Sequence, residues 1–147
     1  MTSNRGETSL NMEASANGER RPLLAVDIII RRTDGAIVLV KRKNPPFKDF
    51  YAIPGGFVEY GETVEAAAIR EAREETGLDV RILRLVGVYS DPERDPRGHV
   101  ISVVYLAEEI GGTLRPGADA EEVDAFKKIP EELAFDHQKI LEGALQP

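Results

Sequence analysis

Apolar positions fall in short blocks along this chain, and the spacing inside each block predicts its element. Leu23 to Ile30 is a continuous apolar run broken only by Asp27. Its β-branched content predicts a buried strand. Thr33-Asp34-Gly35 is a turn signal, and Ala36 to Val40 predicts a second strand, so the two form a hairpin. Lys41, Arg42 and Lys43 give a basic edge before Asn44-Pro45-Pro46 breaks regular structure. Phe47, Phe50 and Tyr51 follow in a loop, and Ile53-Pro54-Gly55-Gly56 is a second break. Val80 to Tyr89 and His99 to Ala107 read as strands, with a charged loop, Ser90 to Gly98, between them. After a loop over Gly111 to Asp119, Val123 to Ile129 reads as strand and Pro130 to Leu145 as a terminal helix. Strands and helices mixed with hairpins predict an α+β or three-layer α/β/α architecture.

Thr63 to Thr76 is the clearest helix. Thr63 caps its start, Ala66, Ala67 and Ala68 favour the helical state, and Gly77 ends it in a left-handed conformation. On a wheel of about 100° per residue, Val64, Ala67, Ala68, Ala72 and Leu78 gather on the core side. Glu71 and Glu75 fall in the middle of that same side, Glu74 lies at its edge, and Arg73 lies opposite. Carboxylates turned inward lose solvation at several kcal/mol per ion, on the order of what a bound ion must offset. A hard cation does so, because Mg²⁺, Mn²⁺ and Ca²⁺ favour clustered carboxylate oxygens. The plainer alternative is a solvated acidic face paired with Arg70 and Arg73. Gly55 and Gly56 permit close backbone approach, and a carbonyl there can complete a cation site. Arg70 lies four residues before Glu74, at ion-pair spacing, and Glu62 can brace the loop through backbone N–H groups.

Composition narrows the classes. The chain has 147 residues, a length that fits one domain. It has no cysteine, which excludes disulfides, thiolate zinc sites and cysteine nucleophiles. The net charge of -7 argues against a nucleic-acid polymer as partner but not against a small phosphorylated ligand. No apolar run reaches a membrane-spanning length, and no signal core is present. A cytoplasmic protein is expected, with residues 1–21 as a polar disordered leader and residues 22–147 as the domain.

Gly56, five residues, Glu62, seven residues, then Arg70-Glu71-Ala72-Arg73-Glu74-Glu75-Thr76-Gly77-Leu78 resembles a complete Nudix box. Ala72 is a small choice where the pattern asks for an aliphatic residue. The resemblance implies the Nudix fold, an α/β/α sandwich with a mixed β-sheet. It implies metal-dependent hydrolysis of a nucleoside diphosphate linked to a moiety X. By position, Glu71, Glu75 and the Gly55 carbonyl would bind Mg²⁺ or Mn²⁺. Glu74 would be a further ligand or orient water, and Arg70 and Glu62 would be supports. In this family a carboxylate outside the box often serves as base. Within Asp119-Ala120-Glu121-Glu122-Val123 the choice is Glu122, with Glu121 as the alternative and a solvated acidic loop as the plain reading.

The stretches Pro54 to Glu62, Gly87 to Pro92, Asp95 to His99 and Leu133 to His137 resemble small ADP-ribose pyrophosphatases of bacteria and archaea. The products would be AMP and ribose 5-phosphate, and a homodimer is implied by analogy. Phe47, Phe50 or Tyr51 can stack on adenine or simply close a lid. Arg42 or Arg97 can contact phosphate or be surface charges. Asp27 is either a site residue or a buried polar group with local partners, and His99 and His137 are expected to be structural. Two rivals are an oxidised-nucleoside-triphosphate hydrolase and a non-catalytic ADP-ribose-sensing regulator. The second would be expected to carry a damaged box and an added DNA-binding domain. The intact box, and a chain ending at Pro147 with no room for a winged helix, weigh against it.

Overall fold

The computed structural model describes residues 19–146, so most of the expected leader, residues 1–18, lies outside the described residues. The elements run β1 (Leu23–Arg31), β2 (Ile37–Arg42), β3 (Tyr51–Ala52), β4 (Gly55–Phe57), α1 (Val64–Thr76), β5 (Leu78–Tyr89), β6 (Val100–Gly112), β7 (Ala120–Phe126) and α2 (His137–Leu145). The strands form one sheet with main order β3-β2-β1-β6-β5, while β4 pairs with β1 and β7 with β2. β1 and β6 run parallel and the other pairs antiparallel, so the sheet is mixed.

β1 is central because its apolar run suits a strand covered on both faces. Alternation sends Val26, Ile28 and Ile30 to one face, where they pack with Ala67, Ala68 and Ala72 of α1. Ile29 points the other way and joins Ile140, Leu141 and Ala144 of α2. The sheet therefore lies between two helical layers, as expected of an α+β sandwich.

The expected caps form. Thr63 Oγ1 accepts the Ala66 N–H at 3.1 Å, and Gly77, at φ 79°, donates its N–H to Arg73 O. Several expected boundaries move, among them the end of β6, which runs on to Gly112 into the expected loop. The strand expected from Val123 begins at Ala120, because β2 continues its pairing to Arg42↔Ala120. Glu121 and Glu122 thus lie in a strand rather than in the loop before it. The helix expected from Pro130 begins at His137. Ala134 donates its N–H to Tyr51 O at 2.8 Å and Phe135 takes a φ of 54°, so the chain follows β3 before it turns into α2. The break at Ile53 to Gly56 ends in a short strand, with Gly55 and Gly56 paired to Asp27 and Val26.

Gly77 tests the joint between α1 and β5. A Cβ there would strike the Thr113 carbonyl, and the residue already has a positive φ. Gly77→Ala should lower stability by more than about 1 kcal/mol in denaturant unfolding. A neutral result would contradict this joint.

Candidate active site

The inward carboxylates of α1 are the first layer of the site. Glu71 is only 8% exposed, Glu75 is partly buried, and the Glu74 side chain is 56% exposed. Burial comes first in raising the Glu75 pKa to about 8, followed by repulsion from Glu71, Asp119 and Glu74. Burial also raises that of Glu71, although Arg70 opposes the shift. Gly56 leaves room for them, since a Cβ there would force the Glu71 carboxylate to shift.

Arg70 holds this layer together. Its guanidinium donates to Glu62 at 2.6 and 2.8 Å, to Glu71 at 2.9 Å, to Glu74 at 3.1 Å and to the Phe57 carbonyl at 3.1 Å. Glu62 also accepts the Glu59 N–H at 3.0 Å. The two Arg70 bonds, joined by that N–H, bring the Glu62 carboxyl down to about 2. The loop entering α1 is thereby tied to the helix that carries the carboxylates.

A cavity of about 320 Å³ opens against this layer. One wall holds Gly55, Gly56, Glu71, Glu74 and Glu75, with Asp119 nearby on the rim. The other holds Arg42, Arg94, Arg97 and Phe135, with Asp27 and His137 also on the lining. Arg42 donates to the Pro46 carbonyl at 2.7 Å and lies 4.9 Å from the Phe135 ring centre. Burial, with Arg97 close by, lowers its pKa. Arg97 is paired with Asp95 at 2.8 Å and lies 5.5 Å from the same ring. Arg94 makes a two-bond pair with Asp136, at 2.9 and 2.8 Å, fixing the loop before β6 to the start of α2.

A cation suits the first wall, because buried carboxylates with raised pKa values gain most from one. Among the described residues no three acidic or imidazole groups stand at chelating spacing. The fit therefore rests on the chemistry of the oxygens gathered there.

A family model described as NUDIX domain matches residues 21–144. The chain belongs to the NUDIX domain family. An ADP-ribose pyrophosphatase of Methanocaldococcus jannaschii is similar at 56% identity, covering 85% of this chain and 74% of that protein. The ADPR responsive transcriptional repressor NtrR of Acinetobacter baylyi is 34% identical over 84% of this chain, which spans 53% of the repressor. Among solved structures, the NUDIX domain of Shewanella oneidensis NrtR, complexed with ADP ribose, superposes with a TM-score of 0.76. It is 26% identical and covers 90% of this chain and 92% of that one.

The NUDIX cavity brings together Gly55, Glu71, Glu74, Glu75, Arg70, Arg42, Arg97 and Asp27 of the residues singled out by sequence. Phe47, Phe50, Tyr51 and Glu122 are not on its lining. Tyr51 packs on Phe126 and donates its hydroxyl to Asp124 at 2.8 Å, Phe47 backs Phe135 at 5.0 Å, and Phe50 is exposed. Glu122 is exposed on β7 and pairs with Lys41 at 3.4 Å. Sequence reading missed Phe135, Arg94 and Asp119 as cavity residues. The signal for Phe135 was present in the stretch Leu133 to His137, but nothing local separates it from a packing aromatic.

The Glu62–Arg70 tie predicts a pH-dependent stability term in this NUDIX domain. A carboxyl brought from 4.5 to about 2 stabilises the fold above its unfolded pKa, and that term fades as pH falls through the folded value. Glu62→Gln should cost about 1–3 kcal/mol at neutral pH. Thermal melts of the two proteins should converge between pH 4.5 and 2. A gap independent of pH would contradict the assignment.

Proposed function

We propose that this NUDIX domain hydrolyses the pyrophosphate bond of ADP-ribose to give AMP and ribose 5-phosphate. The observation that carries the reading is a single cavity with crowded carboxylates on one wall and Arg42, Arg97 and Phe135 on the other. A polyanion with a sugar and an aromatic base matches both walls once a cation neutralises the first. The 56% identity to an ADP-ribose pyrophosphatase supports this substrate.

Glu71, Glu75 and the Gly55 carbonyl would hold Mg²⁺ or Mn²⁺. When bound, such an ion screens the pyrophosphate and lowers the pKa of a coordinated water. Arg70 keeps Glu71 and Glu74 in place. Glu74, more exposed than Glu71 and Glu75, would orient water or add a ligand oxygen. Arg42 and Arg97, both packed over the Phe135 ring, would compensate negative charge on the substrate. Asp119, which lines the cavity, is a better candidate for the base than Glu122 on the outer strand. Among the described residues no helix is long and apolar enough to cross a membrane. A cytoplasmic homodimer acting on a free nucleotide, with no nucleic-acid polymer or membrane as partner, completes the proposal.

The repressor relative, together with the NrtR domain that holds ADP ribose, favours one second reading, in which ADP-ribose is sensed and not turned over. The buried carboxylates crowded on α1 favour hydrolysis. A panel of ADP-ribose, other ADP-sugars, dinucleotides and oxidised triphosphates with Mg²⁺ separates the readings. AMP from ADP-ribose, abolished by a chelator and restored by Mg²⁺ or Mn²⁺, is expected. Pyrophosphate release from triphosphates alone would overturn the substrate. Tight ADP-ribose binding without products would favour the sensor.

A further inference from the structure

Asp27 is a carboxylate in the middle of an apolar strand. Its neighbours Val26 and Ile28 are fully buried, and Asp27 itself is 9% exposed. Such a group needs partners to offset its lost hydration. One is Ser102 on β6, also fully buried, whose hydroxyl donates to Asp27 Oδ2. A second neighbour is His137 at the start of α2, which is 4% exposed, and Arg94 also lies within electrostatic reach of Asp27. His137 Nδ1 accepts the Ile53 N–H at 2.9 Å, which leaves the ring proton of the neutral imidazole on Nε2. Burial lowers the His137 pKa and favours that neutral form.

Nε2 lies 3.9 Å from Asp27 Oδ2, too far for a hydrogen bond between them. Both residues line the cavity. The wall therefore presents a donor and an acceptor side by side, each fixed from behind by another group. A phosphate oxygen accepts only, and it would face the Asp27 charge. A hydroxyl both accepts and donates, and one oxygen can serve both atoms across this gap. The low exposure of both residues suits a single hydroxyl better than the flat edge of a base.

We propose that Asp27 and His137, with Ser102 holding Asp27, form a subsite for a ribosyl hydroxyl of the substrate. This inference rests on the ADP-ribose reading and adds what selects the sugar. The hydroxyl belongs to the adenosine ribose or to the distal ribose.

The test uses Asp27→Asn and His137→Asn. The second keeps an acceptor for the Ile53 N–H while removing the Nε2 donor, so it covers the case in which the first fails to fold. For both variants and the parent, Kd without divalent ion and kcat/KM with Mg²⁺ are measured on four compounds. These are ADP-ribose, its analogue deoxygenated on the adenosine ribose, an ADP-alkyl ester, and the hypoxanthine analogue of ADP-ribose. In the parent, one hydroxyl-deficient compound should bind about tenfold more weakly than ADP-ribose, and that preference should collapse in the variants. The compound whose penalty disappears identifies the sugar. Equal losses on all four compounds would make the residues merely structural and overturn the proposal. Collapse confined to the hypoxanthine analogue would overturn it in favour of base recognition. If the parent binds ADP-ribose but does not cleave it, hydrolysis falls while Kd still decides the subsite. If the parent does not bind it, both fall.

Discussion

One guanidinium sets the geometry of this molecule's site. Arg70 bonds Glu62 at the entry to α1, the Phe57 carbonyl on β4, and both Glu71 and Glu74 on its own helix. It thus fixes the loop, the short strand and the helix relative to one another. It also supplies the positive charge that lets Glu71 sit 8% exposed against the sheet. Glu75, one turn further along the core side, has no such tie, and its carboxyl rises to about 8. That imbalance marks where further positive charge is needed.

The sheet turns this local arrangement into a two-walled cavity. β1 is paired with β4 at its start and with β2 at its end, so the strands part and leave a cleft beside Asp27. α1 covers one face and puts carboxylates at the cleft. The loop before β6 and the turn into α2 close the other side, locked together by Arg94 and Asp136. Phe135 reaches the cleft from a left-handed backbone conformation, one that a non-glycine residue adopts only when its surroundings hold it there. One wall is rich in carboxylates and the other carries three arginines, of which Arg94 and Arg97 are already paired with Asp136 and Asp95.

The carboxylate wall was legible in the sequence because it sits on one element. The period of α1, its Thr63 and Gly77 caps and the preceding glycines give the inward phase of Glu71 and Glu75 without tertiary information. β1 was legible for a similar reason, since a strand covered on both faces is apolar at nearly every position. The cationic and aromatic wall was not. Arg42, the Arg94 and Arg97 pair on one loop, and Phe135 come from three separate segments, and the pairing of Leu133 with Tyr51 brings the last of them to the cleft. Tyr51 looked like a stacking residue because a loop aromatic beside a glycine turn has no local mark of burial. Pairing of Lys41 with Glu122 decided the position of that acid, and pairing partners are not readable from one strand.

On the proposed function, the inward carboxylates of α1 hold a divalent cation. Titration of Mn²⁺ into the protein without substrate, followed by the loss of the free-ion paramagnetic signal, tests it most directly. Saturable binding is expected, weakening by at least about tenfold in Glu75→Gln, with the fold retained by circular dichroism. Unchanged Mn²⁺ affinity in that variant would contradict it.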